Sequence, residues 1–240
     1  MNTQNTNHLR SESHSHDQEP PSIPRILREG IVRVVQEEAE RLNPEPAQAI
    51  SRWLDSGDPD AAERFLLRLA EDGDPAIQWC MGMACAVGLG AEKDWPRAID
   101  WFRRSAEQGY APAQNSLGDC YSKGQGVEQN DTQAVQWYRK AADQDYAEAQ
   151  YQLGKCYYYG WGVKKNETQG IRWYRQAAER GHAEAQLTLG ERYYYGFGVE
   201  EDNVQAAHWF RQAAEQDNTQ AQWHLGVCYE NGYGVEKDET

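Results

Sequence analysis

The segment 147–182, AEAQYQLGKCYYYGWGVKKNETQGIRWYRQAAERGH, is followed directly by 183–218, AEAQLTLGERYYYGFGVEEDNVQAAHWFRQAAEQDN, and the two segments match position by position. A leucine–glycine or methionine–glycine pair marks the same place in every copy of this unit. Its glycines are always 36 residues apart: Gly82, Gly118, Gly154, Gly190 and Gly226. A fixed period of this length indicates one small supersecondary unit copied in a row. Because one unit cannot bury its own apolar face, the copies are expected to stack on one another.

Each copy is predicted to form two helices joined by a short loop. In the first helix, apolar and small residues recur at helical spacing around the glycine, which permits a neighbouring helix to approach closely. The loop G-x-G-V that follows has two glycines for a tight reversal and a valine that returns to the core. The second helix follows an Asp or Asn N-cap and carries an A-x-x-W-[YF] stripe. The pattern predicts an all-α fold, an α/α superhelical solenoid of 36-residue helix-turn-helix repeats.

The composition narrows the possible partners. Leu, Ile, Val and Phe make up only 35 of 240 residues, and the apolar material lies instead in alanine, 14 tyrosines and 9 tryptophans. Such residues suit thin layers of helices. The net charge of -14 is spread along the chain and leaves no basic stripe, so we expect no nucleic-acid partner. The acidic excess either keeps a long helical array soluble or steers basic protein segments toward it.

The chain is predicted to contain three regions. Residues 1–24 form a disordered tail, and residues 25–74 form a capping helix and a degenerate helix pair. The regular repeats then occupy 75–110, 111–146, 147–182 and 183–218, with a partial copy at 219–240. Because the last copy stops before its second helix, we interpret the chain as a fragment of a longer array. The alternative is that another molecule completes the last pair.

The cysteines and the absence of apolar runs predict a cytoplasmic location. The sequence contains no export signal and no apolar stretch of membrane-spanning length. Cys120, Cys156 and Cys228 occupy the same repeat position, and stacked helices hold such positions about 10 Å apart, beyond disulfide reach. Free thiols fit a reducing compartment. The histidines lack a fixed set of further ligands, so we expect no metal and no cofactor.

Catalytic motifs are not found in the sequence. The paired glycines lack the third glycine and the preceding strand of a dinucleotide-binding loop. The chain contains no H-E-x-x-H, no paired C-x-x-C and no nucleophile elbow. We therefore expect no enzymatic activity.

The consensus A-x-x-x-L-G-x-x-Y-x-x-G-x-G-V-x-x-[DN]-x-x-x-A-x-x-W-[YF]-x-x-A-A-E-x-G resembles the Sel1-like repeat, a 36-residue relative of the tetratricopeptide repeat. The resemblance covers about residues 75–240 and includes the two loop glycines, which simple tetratricopeptide repeats lack. It implies an adaptor in protein complexes. Secreted cysteine-rich members of this family join the two helices of each repeat by a disulfide. The second helices here have no cysteine, so the location and ligands of that subgroup are not carried over.

A partner-binding groove is predicted on the first helices, which usually line the concave face of such arrays. By helical phase, the outward positions lie three residues before, one after and four after the key glycine, and the position five after it lies at the rim. Aromatic anchors with charged neighbours at these positions are typical of a peptide-binding groove. The alternative is that the aromatic rings pack between adjacent repeats. The predicted groove residues are Trp79, Asn115, Tyr151, Lys155, Tyr158, Leu187, Glu191, Tyr194 and Trp223.

Two other sets of repeated side chains are predicted to be structural. The tyrosines at the core phase of the first helix are Tyr157, Tyr193 and Tyr229. A glutamine also recurs in every copy, which favours a hydrogen bond between helices over contact with a ligand. These residues are Gln78, Gln114, Gln150, Gln186 and Gln222.

Two functions follow from these patterns. The first is a non-enzymatic scaffold that binds a protein or peptide segment in its concave groove. The second is a regulatory or inhibitory subunit of an enzyme or signalling complex, which acts through its N-terminal region. Deletion of residues 1–24 distinguishes them, because only the second function depends on the tail.

Overall fold

The computed structural model describes residues 67–68, 70–87 and 93–237, and within these residues it contains nine α-helices and no strand. The predicted all-α repeat fold is therefore confirmed. The tail and most of the predicted capping region, residues 1–66, lie outside the described residues. The helices are α1 Pro75–Val87, α2 Trp95–Glu107, α3 Ala111–Lys123, α4 Asp131–Ala142, α5 Ala147–Tyr159, α6 Glu167–Glu179, α7 Ala183–Tyr195, α8 Asn203–Ala214 and α9 Thr219–Asn231.

The odd-numbered helices are the first helices of successive copies, and the even-numbered helices are the second ones. The second helices begin at the predicted caps, as at Asn130, whose Oδ1 accepts the N–H of Gln133 at 3.0 Å. At the other end, Asp145 and Asp217 take left-handed φ angles of 65° and 61°. Asparagine and aspartate tolerate this conformation better than other side chains do. Local sequence thus sets where each helix begins and ends.

The key glycine of a first helix makes room for an aromatic ring from the second helix of the same copy. A Cβ built on Gly154 would lie 2.6 Å from a ring carbon of Tyr174. The same arrangement pairs Gly82 with Phe102, Gly118 with Tyr138 and Gly190 with Phe210. No such neighbour lies within 4 Å of a Cβ built on Gly226. In four copies, therefore, an aromatic ring packs directly against the backbone of the key glycine.

The repeated glutamines join helices by hydrogen bonds, as predicted. Nε2 of Gln114 donates to the carbonyl oxygen of Ala106 at 3.1 Å. Its Oε1 accepts from Nε2 of Gln144, at the end of the second helix, at 2.8 Å. The buried amides of Gln78, Gln114 and Gln186 are satisfied on both sides in this way, which avoids the cost of an unpaired polar group.

The third copy breaks this pattern at one position. Arg180 replaces the glutamine that ends the second helix in the other copies, and its guanidinium donates to the carboxylate of Asp145 instead. Oε1 of Gln150 is buried and accepts no hydrogen bond. An unsatisfied buried acceptor of this kind lowers stability by about 1–3 kcal/mol.

Arg180→Gln is expected to raise the free energy of unfolding by about 1 kcal/mol, because it supplies the missing donor and removes only an exposed ion pair. Urea unfolding followed by circular dichroism measures the change. The matched control is Gln144→Arg, which removes the donor from Gln114 and should lower stability by a similar amount. Equal stabilities of the wild type and Arg180→Gln would contradict this explanation.

The cysteines have a structural role. All five lie in the described residues and none is in a disulfide. Burial raises the pKa of the Cys120 thiol to about 11 and that of Cys156 to about 12. Both thiols therefore stay protonated at neutral pH and are poor nucleophiles.

Candidate functional site

The first helices expose a stripe that is one residue out of the predicted phase. Helical side chains lean toward the N-terminus, so a given surface spot is covered by a residue about one position later than its phase suggests. The positions two residues before, one after and five after the key glycine are exposed or half-buried in all three helices, and the first and last of these lie one residue later than the predicted positions three before and four after. We call the nine residues at these positions in α3, α5 and α7 the exposed stripe: Ser116, Asp119, Lys123, Gln152, Lys155, Tyr159, Thr188, Glu191 and Tyr195.

Several predicted groove residues face the next repeat instead of solvent. Asn115, Tyr158 and Leu187 are buried, with 7%, 9% and 4% of their surface exposed. Trp79 is half-buried and its indole N–H donates to the hydroxyl of Ser116 at 2.9 Å. These four residues are corrected from groove lining to packing between repeats, which was the alternative given by the sequence. The position three residues before the glycine reaches across to the following first helix.

The remaining predicted groove residues differ in their exposure and in their contacts. Tyr151, Lys155 and Glu191 are half-buried and reach the surface of the first helices. Tyr194 is half-buried among other rings, with its centroid 6.2 Å from that of Phe210. Trp223, in the last described helix, is 64% exposed. The prediction therefore identified Lys155 and Glu191 on the exposed stripe and Tyr151 beside it.

A polar network covers the surface of α5. Nε2 of His182 lies 2.8 Å from Oε2 of Glu148, and the other oxygen of that carboxylate accepts from Gln152 at 2.7 Å. The ammonium of Lys155 donates to Oε1 of Gln152 at 3.3 Å. The ring of Tyr151 stacks on His182 with centroids 4.9 Å apart. We call these five residues the third-repeat polar network.

The network has a defined protonation pattern. Nδ1 of His182 accepts the N–H of Ala185 at 3.1 Å and so caps α7. A neutral imidazole that accepts at Nδ1 carries its proton on Nε2, which therefore donates to Glu148. This hydrogen bond is the main reason why the pKa of Glu148 is lowered. The network thus holds the Glu148 carboxylate and the Lys155 ammonium on one helix surface, joined through the amide of Gln152.

Charges alternate along the exposed stripe at the position after the key glycine. Asp119, Lys155 and Glu191 follow one another in consecutive copies. Asp119 accepts the hydroxyl proton of Tyr138 at 2.7 Å, and burial raises the pKa of its carboxyl group. Glu191 lies 3.6 Å from Nε2 of His224. This arrangement suits electrostatic recognition of a partner that carries complementary charges.

Sequence reasoning missed the exposed rings of the G-x-G-V loops. Trp161, Phe197 and Tyr233 lie between the two loop glycines and are 45%, 52% and 40% exposed. The sequence does contain a signal, because the second copy has Gln125 at this position while the third, fourth and fifth copies have an aromatic residue. A loop position that the turn does not constrain is free to carry function.

In residues 67–68, 70–87 and 93–237, no group of three or more His, Cys, Asp or Glu side chains is arranged to hold a metal ion. Nor does any helix in these ranges have the length and apolar character needed to cross a bilayer.

The fold and the exposed stripe define an all-α helical-repeat protein of 36-residue units. The Sel1 repeat family model matches residues 78–110, 111–146, 147–182, 183–218 and 219–240. The chain belongs to the Sel1 repeat family.

Solved structures agree with this assignment. The protective antigen c5321 of uropathogenic Escherichia coli, which displays the same repeat fold, is 42% identical over 73% of this chain, with a TM-score of 0.69. A Sel1 repeat protein from Oxalobacter formigenes is 28% identical over 88% of the chain, with a TM-score of 0.72. The chain spans 38% of the first protein and 69% of the second. A comparison with curated protein sequences found no match.

Proposed function

We propose that this protein is a non-enzymatic scaffold that binds an extended segment of a partner protein along the exposed stripe of α3, α5 and α7. Sel1 repeat proteins generally mediate protein–protein interactions. The third-repeat polar network is the observation that carries the proposal, because it holds a carboxylate and an ammonium in fixed positions on an accessible helix surface. Pre-organised charges of this kind lower the cost of binding.

The spacing of the charges fits an extended chain. Packed helices lie about 8–10 Å apart, and an extended peptide advances about 3.3 Å per residue. One copy therefore corresponds to about three residues of a bound strand. A partner with a basic, an acidic and a basic side chain at such intervals would face Asp119, Lys155 and Glu191 in turn.

The predicted groove residues have different roles in this proposal. Lys155 and Glu191 supply the charges, and Tyr151 supports the network by its stack on His182. Tyr194 and Trp223 lie toward the fourth and fifth copies, where they would extend the same surface. We also propose a cytoplasmic location, which the five cysteines without disulfides support.

The test uses random dodecapeptides displayed on phage, selected on the whole chain. The double charge reversal Lys155→Glu/Glu191→Lys should reduce the affinity of the selected peptides at least about tenfold, because it replaces two attractions by repulsions. The matched control, Arg172→Glu/Glu215→Lys, makes the same charge changes at exposed positions of the second helices. Equal loss in both variants, or no loss in the first, would refute binding along the stripe. Selected peptides that require residues 1–24 would instead favour a regulatory subunit that acts through its tail.

A further inference from the structure

Five aromatic rings line the loop edge of the third, fourth and fifth copies. We call them the aromatic ladder: Tyr159, Trp161, Tyr195, Phe197 and Tyr233. Each is between 40% and 52% exposed, in a chain with a mean hydropathy of -0.93. A cluster of exposed apolar side chains on such a polar surface is typical of a binding site.

The rings form rigid pairs within each copy. Tyr159 stacks on Trp161 with centroids 4.8 Å apart and planes at 24°. Tyr195 stacks on Phe197 in the same way, at 5.5 Å and 26°. Each pair joins the last turn of a first helix to the loop that follows it. Stacking restricts the rotation of both rings, so less side-chain entropy is lost when a ligand contacts them.

Contacts between copies make the ladder continuous. The guanidinium of Arg192 lies 4.7 Å from the ring of Tyr158, which adjoins Tyr159, and 5.8 Å from the ring of Phe197. The ring centroid of Tyr194 in turn lies 4.8 Å from that of Tyr195 and 6.0 Å from that of Tyr233. The exposed rings thus follow one edge of the array, and Arg192 lies between those of the third and fourth copies.

The two cations of this edge, Lys155 and Arg192, form no direct salt bridge among the described residues. Lys155 lies 5.9 Å from the ring of Trp161. Within the part of the chain that the structure describes, no carboxylate is within salt-bridge distance of Lys155 or Arg192. Nε of Arg192 is moreover buried and donates no hydrogen bond. Two cations that form no salt bridge, in a chain with a net charge of -14, are complementary to an acidic side chain of a partner.

The spacing of the ladder matches a polyproline II helix. For equivalent rings in consecutive copies we take the usual spacing of packed helices, about 8–10 Å, as the separation. A polyproline II helix has three residues per turn and a rise of about 3.1 Å, so prolines three residues apart recur every ~9 Å. Rows of exposed Tyr, Trp and Phe rings are the surfaces on which such segments bind.

Other occupants fit less well. At about 150–250 Å² per ring, the exposed parts of the ladder amount to about 500 Å², below the ~800 Å² per partner of a stable dimer. Single-stranded nucleic acid also stacks on aromatic rings, but it needs a basic groove along its backbone. The net charge of -14 opposes that partner.

We infer that the aromatic ladder binds a proline-containing segment of a partner protein in the polyproline II conformation, with two prolines spaced P-x-x-P and an acidic residue beside them. The prolines lie against the two stacked ring pairs, and the carboxylate pairs with Arg192 or Lys155. This inference rests on the proposed scaffold function and names the chemistry of its partner.

Two dodecapeptide phage libraries test the inference on the whole chain. One has a fixed P-x-x-P core with an adjacent Asp, and the other has A-x-x-A with the same Asp. Only the first should be enriched on the wild type. Its peptides should lose at least about tenfold in affinity on Trp161→Ala/Phe197→Ala, since exposed aromatic anchors carry most of such binding energy. Val204→Ala, which removes an exposed apolar side chain from a second helix outside both the ladder and the exposed stripe, should leave the affinity unchanged.

The outcomes separate this inference from the proposed function. Equal enrichment of both libraries, or full affinity of the double variant, overturns the polyproline inference. If random peptides still bind and are lost on Lys155→Glu/Glu191→Lys, the scaffold function stands without the ladder. If no peptide from any library binds the wild type, both fail. Circular dichroism checks that the variants fold, and the single variant Trp161→Ala gives the same comparison if the double variant does not.

Discussion

Replacing Phe210 by alanine is expected to lower the free energy of unfolding by about 3–5 kcal/mol, the usual cost of removing a buried phenylalanine. The ring is fully buried and lies on the bare backbone of Gly190. Its other face stacks on His224 of the next copy, with centroids 4.6 Å apart and planes at 5°. The substitution therefore leaves a cavity at the junction of two copies, where the surrounding helices can close it only partly.

Phe197→Ala is the matched control because it removes the same side chain from an exposed loop position. Phe197 is 52% exposed, so its loss should change the free energy of unfolding by less than about 1 kcal/mol. Both variants are measured by urea unfolding at one protein concentration. Similar losses for Phe210→Ala and Phe197→Ala would show that the ring of Phe210 does not hold the fourth copy together.

The destabilisation caused by Phe210→Ala should also extend to the fifth copy. In a repeat protein, stability is approximately the sum of each copy's own stability and the interfaces with its neighbours. α9 contacts the fourth copy through His224 and through the buried Cys228. Hydrogen exchange should therefore show faster opening of α9 in Phe210→Ala than in the wild type, while α3 and α4 stay protected.

The 36-residue period predicts the helices, their order and their caps because these depend on local chemistry that every copy repeats. Asn130 and Asp145, for example, act within one turn of their own helix. The repeated glutamines were assigned correctly because they recur in every copy, although their hydrogen-bond partners lie 8 and 30 residues away. The exception at Gln150 depends on Arg180, thirty residues later, and only the fold brings the two positions together.

The candidate site was predicted less well because exposure depends on how neighbouring copies pack. Tyr158 and Tyr159 are adjacent in sequence and chemically identical, yet Tyr158 is buried against the next copy and Tyr159 is exposed. The sequence alone does not fix which face of the helix is buried. An error of one residue rotates the assigned face by about 100°, which exchanges the predicted roles of the two tyrosines. The loop rings of Trp161 and Phe197 do recur at the repeat period, but the turn constrains only the glycines beside them, so the pattern does not predict whether the rings are exposed.

Gly154→Ala is expected to destabilise the protein by about 2 kcal/mol although alanine is the better helix former, because overpacking a buried site costs more than the propensity gained. The added methyl group would lie 2.6 and 2.7 Å from two ring carbons of Tyr174 and 3.2 Å from the carbonyl oxygen of Gly170. Tyr174 is fully buried, so its ring cannot swing away without moving α6.

Gly226→Ala makes the same chemical change on a first helix where no atom lies within 4 Å of the new methyl group. It should stabilise the chain by up to about 1 kcal/mol, the difference in helix propensity between alanine and glycine. Opposite changes in stability at these two equivalent repeat positions would attribute the cost of Gly154→Ala to the contact with the ring of Tyr174. In a Tyr174→Ala background, where the ring is absent, Gly154→Ala should lose most of its cost. If it stays equally destabilising in that background, the glycine is required for a reason other than the ring that lies on it.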